Sequence, residues 1–148
     1  MPDRIDDNEV LYRSVRNNFD FFKVIDGAVK FSSTAFNDKG YRPSVDRAAL
    51  RDAPEDTKLY PTDGITKIFA EEARQVKVPI SADDPAMCFK VDVIYRPVPA
   101  DNLEGLKENP AHSQIESDPE ITVTRRFDKI KEALSRAATR YGWVIEPS

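Results

Sequence analysis

The chain has 148 residues, of which 40% are hydrophobic and 32% charged, with 22 Lys and Arg against 26 Asp and Glu for a net charge of −4. That length suits one domain with room for a buried core, and that balance excludes global disorder and a surface that is basic overall. With one cysteine and one histidine, an internal disulfide, a CxxC metal knuckle and a thiol-stapled secreted fold are excluded.

Residues 1–8 are acidic and lack an apolar signal core, and are expected to be flexible. No apolar run reaches the roughly 18 to 20 residues that span a bilayer, so no membrane partner is expected and the predicted location is the cytoplasm. "EVLYRSV" then alternates with β-branched and aromatic residues and reads as a strand. "DFFKVIDGAVKF" places Asp26-Gly27 between two apolar runs, a hairpin signal, and makes the first third a prospective β-meander.

Residues 32–63 are rich in Pro, Asp and Gly, with one short helical stretch, "RAALRD", capped by Ser44 or Asp46. A loop of that length needs buried anchors, for which Phe36, Val45, Leu50 and Tyr60 are the candidates. Residues 62–79 carry Ile65, Ile68, Phe69 and Ala73 at helical spacing behind a Thr62 or Asp63 cap, predicting a helix that ends at Pro79. "AMCFKVDVIYRPVP" is the clearest strand, with Cys88 read as a buried strand residue, and "HSQIES" is a shorter one after the Asn109-Pro110 turn. Phe127, Ile130, Leu134, Ala137, Ala138 and Tyr141 recur every three or four residues, giving a final helix stopped by Gly142, and "WVIEP" follows as a terminal strand. The predicted architecture is a single α+β domain over 1–148: an antiparallel sheet of about five strands, an N-terminal hairpin, and two main helices on one side.

The final helix segregates charge. Residues 125–141 hold six Lys and Arg and two acids, a balance of +4, which leaves −8 for the rest. At 100° per residue, Arg125, Arg126, Lys129, Arg136 and Arg140 share one side, opposite the apolar face. Such a stripe suits an acidic protein partner or phosphates, or is a solvated face supported by the Glu132/Arg136 pair. Without interleaved aromatics or a Gly-rich loop, nucleic acid is the weaker of the two partners.

Phosphate-binding glycine motifs, the GxSxG elbow and HExxH are all missing, and the paired acids at Asp6-Asp7 and Asp83-Asp84 lack calcium-loop spacing, so no cofactor and no metal are expected. His112 is the only imidazole of the chain, the side-chain type suited to general acid–base work, and would act beside Arg47, Tyr41, Ser33 or Asp46. The competing role is a corner imidazole bonded to backbone carbonyls. Ser32, Ser33 and Thr34 read as hydroxyls closing a strand end, and Asp46 with Arg47 as a charged pair that clamps a loop.

"LYR" at Leu11–Arg13, "SSTAF" at Ser32–Phe36, "SVDR" at Ser44–Arg47, "NPAH" at Asn109–His112 and "GWVI" at Gly142–Ile145 resemble, in that order, a group of small bacterial proteins with SSxAF, SVDR, NPAH and GW-type motifs. The resemblance implies that these segments belong to one domain around a shared cleft, and that the gene sits in an accessory, mobile-element or antiviral-defence locus. The expected function is a non-enzymatic binding protein contacting a protein partner, one encoded in the same operon included, through Arg125, Arg126, Lys129, Arg136 and Arg140. The alternative is a small metal-independent enzyme or nucleic-acid-acting protein with His112 as acid/base, Arg47 stabilising an anion and Asp46 beside them.

Overall fold

A computed structural model describes residues 4–148. Among the described residues ten strands form three antiparallel sheets. The main sheet has the order β10 (Trp143–Ile145), β5 (Gly64–Phe69), β1 (Val10–Val15), β4 (Ser44–Arg47), β9 (His112–Asp118), β8 (Lys90–Tyr95), so it contains six strands where about five are expected. The hairpin β2 (Phe22–Ile25)/β3 (Ala28–Phe31) is a separate ribbon rather than part of a meander, turned by Asp26 and Gly27 at positive φ. A second ribbon pairs β6 (Pro79–Ser81) with β7 (Asp84–Cys88), where Cys88 is only half-buried.

One long helix, α2 (Thr124–Tyr141), is present instead of two. The helix predicted over 62–79 is strand β5 followed by a five-residue helix α1 (Ala70–Arg74). The reason is burial: in β5, Gly64, Ile65, Thr66 and Ile68 are all buried, so an internal strand covered on both faces presents apolar positions that also fit a helical repeat. "SVDR" likewise pairs as β4 instead of capping a helix, and Ala48–Leu50 makes only a 3-10 turn. Of the expected loop anchors Phe36 and Val45 are buried, whereas Leu50 and Tyr60 are exposed.

Register assigns the two faces of the sheet, because directly opposed residues share a side. Leu11 faces Ile68 and Arg47, and Val93 faces Ile115. These apolar residues join Val15, Val45 and Val91 in one buried cluster with Phe127, Ile130, Leu134 and Ala138 of α2, which cover that face. On the opposite face stand Tyr12, Ser14, Ser44, Asp46, His112 and Gln114. Short helix α1 packs against both β5 and β8, near the two edges of the sheet, so the sheet is curled. Arg74 of α1 fastens this curl by bonding Asp92 of β8 and Asp7, each at 2.7 Å.

The expected flexible tail is partly outside the description, since residues 1–3 lie outside the described residues. Ile5 is buried in the main cluster and its carbonyl accepts from Arg74, which ties residues 4–8 to the body. At the other end Trp143 stands edge-on to Phe22 and Phe31, docking the separate ribbon. Position 64 must be glycine for this packing, because a Cβ there would lie 2.5 Å from the Trp143 ring.

Candidate functional site: a cleft on the open face of the sheet

Strands β1 and β4 pair only at Leu11–Arg47 and Tyr12–Asp46, whereas β1 pairs with β5 over six positions. Where β1 and β4 part, Arg13 fills the gap. Its guanidinium donates to the carbonyls of Ala35 (3.0 Å), Asn37 (2.8 Å) and Ser44 (2.8 Å) and to the Asp38 carboxylate (3.0 Å). Asp38 also accepts the amides of Ser44 and Lys39. Burial alone would raise the Asp38 carboxyl, but the Arg13 charge and these bonds hold it below the usual carboxylate range.

On the open side of the sheet this region forms a cleft of about 610 Å³, within the span of small-ligand sites. Tyr12, Ser14, Ser44, Asp46 and His112 line it from the strands, and Thr57 and Asp63 from the segment between β4 and β5. "LYR", "SSTAF", "SVDR" and "NPAH" each contribute lining residues.

His112 opens β9, directly across from Asp46. Its Nδ1 lies 2.8 Å from the Arg96 carbonyl and its Nε2 3.2 Å from Ser44 Oγ. A carbonyl only accepts, so Nδ1 carries the proton of the first bond, and Nε2 of the neutral ring accepts from the Ser44 hydroxyl. Asp46 is buried and already satisfied: Asn109 Nδ2 donates to Oδ1 at 2.9 Å and Arg51 donates to Oδ2 through Nε and NH2. Of the groups named from sequence as partners His112 would need, Asp46 stands opposite it across β4 and β9, while Ser44 and Arg51 are not among them.

Arg47 is not part of this constellation. It occupies the covered face, where it grips Glu9 through two 2.9 Å bonds and stacks over Tyr95. Burial pushes the Glu9 carboxyl up, but the Arg47 bond, the Asp6 amide and the Arg47 and Arg74 charges bring it below its ordinary value. Tyr41 bonds Thr124 on α2, and Ser33 lines a different, shallower groove between the β2/β3 ribbon and α2. Neither meets His112.

The second candidate surface is α2. Arg126 turns inward, donating to the Ile80 carbonyl at 2.7 Å and lying over Phe89. Arg140 is bound to Glu72, which also caps α1 by accepting the Phe69 amide. Lys129 lies 3.9 Å from Glu132. Arg125 and Arg136 are exposed and make no ion pair or hydrogen bond among the described residues. The five-residue stripe therefore reduces to Arg125, Lys129 and Arg136, which fall within 40° of one another at 100° per residue. Arg136 and Lys30 flank the groove of about 430 Å³ beside Ser33.

Among the described residues no group of three or more His, Cys, Asp or Glu side chains is placed to hold a metal ion, and no helix is long and apolar enough to cross a membrane. Comparison of the chain with protein-family models, with curated proteins and with solved structures finds no match.

What sequence reading missed here has a common cause. Ser44 and Asp46 share a face only if "SVDR" is a strand, where positions two apart align. Asp63, expected to cap a helix, instead accepts the Ser14 hydroxyl at 2.7 Å and the Tyr60 amide at 3.2 Å.

Proposed function

We propose that this chain is a non-enzymatic binding protein of a bacterial accessory or defence-type locus, acting through contact with an acidic segment of a protein partner. The observation that carries this reading is the pair Arg125 and Arg136, two exposed guanidinium groups on one line of α2 without an ion pair or hydrogen bond among the described residues. Lys129 between them and Lys30 across the groove extend the positive surface, while the remainder of the chain is acidic. Clustered exposed cations of this kind accelerate and orient docking on negative surfaces, with strong dependence on salt. The test is affinity purification with wild-type protein and with Arg125→Glu/Arg136→Glu. A partner held by the wild type, released by salt and lost from the variant while the thermal midpoint is unchanged supports the reading; identical partners for both proteins overturn it.

A second reading rests on the Ser44–His112 contact. A hydroxyl 3.2 Å from Nε2, with Nδ1 anchored on a carbonyl, is the arrangement in which an imidazole withdraws a proton from an alcohol. In this version His112 is the acid/base and Ser44 replaces Arg47 as its working partner. Labelling of Ser44 by a fluorophosphonate, abolished in His112→Ala, is the expected result; an unlabelled wild-type protein ends the version.

A further inference from the structure

Asp63 lies at the edge of the cleft and is 1% exposed, yet one of its two carboxylate oxygens has no hydrogen-bond partner. Oδ2 accepts from Ser14 and from the Tyr60 amide, while Oδ1 is unsatisfied and the carboxylate makes no ion pair among the described residues. Thr57, 7% exposed and lining the same cleft, also has an unpartnered Oγ1. These are the only two buried side-chain polar atoms without a partner among the described residues, and both belong to one cleft.

Several cations line the cleft without pairing with Asp63: Arg13 is bound to Asp38, Arg51 to Asp46, and Lys58 donates to the Pro61 carbonyl. Arg16 lines the cleft, but its guanidinium stacks 3.9 Å above the Tyr60 ring. A buried carboxylate with neither cation nor full hydrogen bonding is strongly disfavoured, and proteins retain such a group where a binding partner supplies what is missing. We infer that the cleft binds a ligand carrying a cationic N–H donor, an ammonium or guanidinium group, whose charge is neutralised by Asp63 Oδ1 with Thr57 Oγ1 as a further acceptor.

Oδ1 is buried from solvent in this conformation. The backbone at Leu59 and Tyr60 lies against the carboxylate, held through Leu59 N to Ser14 Oγ and Tyr60 N to Oδ2, both at 3.2 Å, and Leu59 is 77% exposed. Entry of the donor therefore lifts this short segment. The site is distinct from the α2 stripe, so Arg125→Glu/Arg136→Glu leaves it unchanged.

The experiment is an NMR titration of the full chain with methylguanidinium chloride and with ethylammonium chloride at constant ionic strength. Saturable shifts of the Ser14, Leu59, Tyr60 and Asp63 amides are expected for at least one cation, with affinity reduced about tenfold or more in Asp63→Asn. Drift without saturation, the same response to sodium chloride, or equal affinity in the variant overturns the inference. The sodium comparison decides the matter on wild-type protein if Asp63→Asn does not fold. Nα-acetyl-arginine methylamide then identifies the source: tighter binding than methylguanidinium indicates a peptide side chain, and weaker binding a free small cation.

Discussion

The two faces of the main sheet treat polar groups in opposite ways. On the covered face Arg47 is locked to Glu9 and Thr66, fully buried, donates to the Gly142 carbonyl at 2.9 Å. On the open face Asp63 and Thr57 are as deeply placed but incompletely bonded, and His112 meets Ser44 at 3.2 Å beside a cleft. A covered polar group with every bond made is part of the scaffold, because leaving it unpaired destabilises the fold. An incompletely bonded one on the open face is where an outside molecule has something to add.

The largest effect should come from the covered layer. Phe127 is 1% exposed and packs beside Tyr41. Phe127→Ala is expected to lower stability by about 3–5 kcal/mol, read from the shift in denaturation midpoint. Next comes Arg47→Met, which leaves Glu9 facing a largely buried space; about 3 kcal/mol is expected, as for a broken buried pair. Glu9→Leu added to Arg47→Met should restore part of that loss, and no recovery would show that Arg47 acts mainly through its other contacts.

Acid tests the paired carboxylates by another route. Asp38 has a folded-state carboxyl below its ordinary value of 3.8, so its contribution is fully present above that value and fades as pH falls through the lower folded one. Glu9 follows the same sign from an ordinary value of 4.5. Stability between pH 5 and 3 should therefore fall less steeply in Asp38→Asn than in the wild type, measured by thermal midpoints across that range. Parallel curves would remove Asp38 from the account.

The contrast between the faces also explains how much was legible in the sequence. Strand β1 and helix α2 follow from local pattern, because their buried positions recur at the strand and helix period, and the hairpin turn follows from Asp26-Gly27, which takes positive φ. The stretch 62–79 does not, since β5 is buried on both sides and its near-continuous apolar run has no distinctive period. Ile65, Thr66 and Ile68 are β-branched, and that was the available signal for a strand. The site was harder still. His112 and Asp46 stand out as residue types, but Ser44, Thr57 and Asp63 reach the cleft only through the pairing of β4 with β9 and the splay of β4 from β1. Arg47 shows the same limit: adjacent to Asp46 in sequence, it lies on the other side of the sheet.

The sharpest comparison uses one substitution at two threonines. Thr66→Val on the covered face removes the donor to the Gly142 carbonyl and is expected to destabilise by about 1 kcal/mol. Thr57→Val on the open side removes a hydroxyl that has no partner to lose, so its effect is expected to be neutral or stabilising by up to about 1 kcal/mol. Side-chain shape is nearly conserved in both, which leaves hydrogen bonding as the difference. If Thr57→Val destabilises as much as Thr66→Val, the Thr57 hydroxyl is already satisfied in solution, and the open face is scaffold rather than binding surface at that point. If the signs differ, the stability held back at Thr57 marks the position where a ligand's donor belongs.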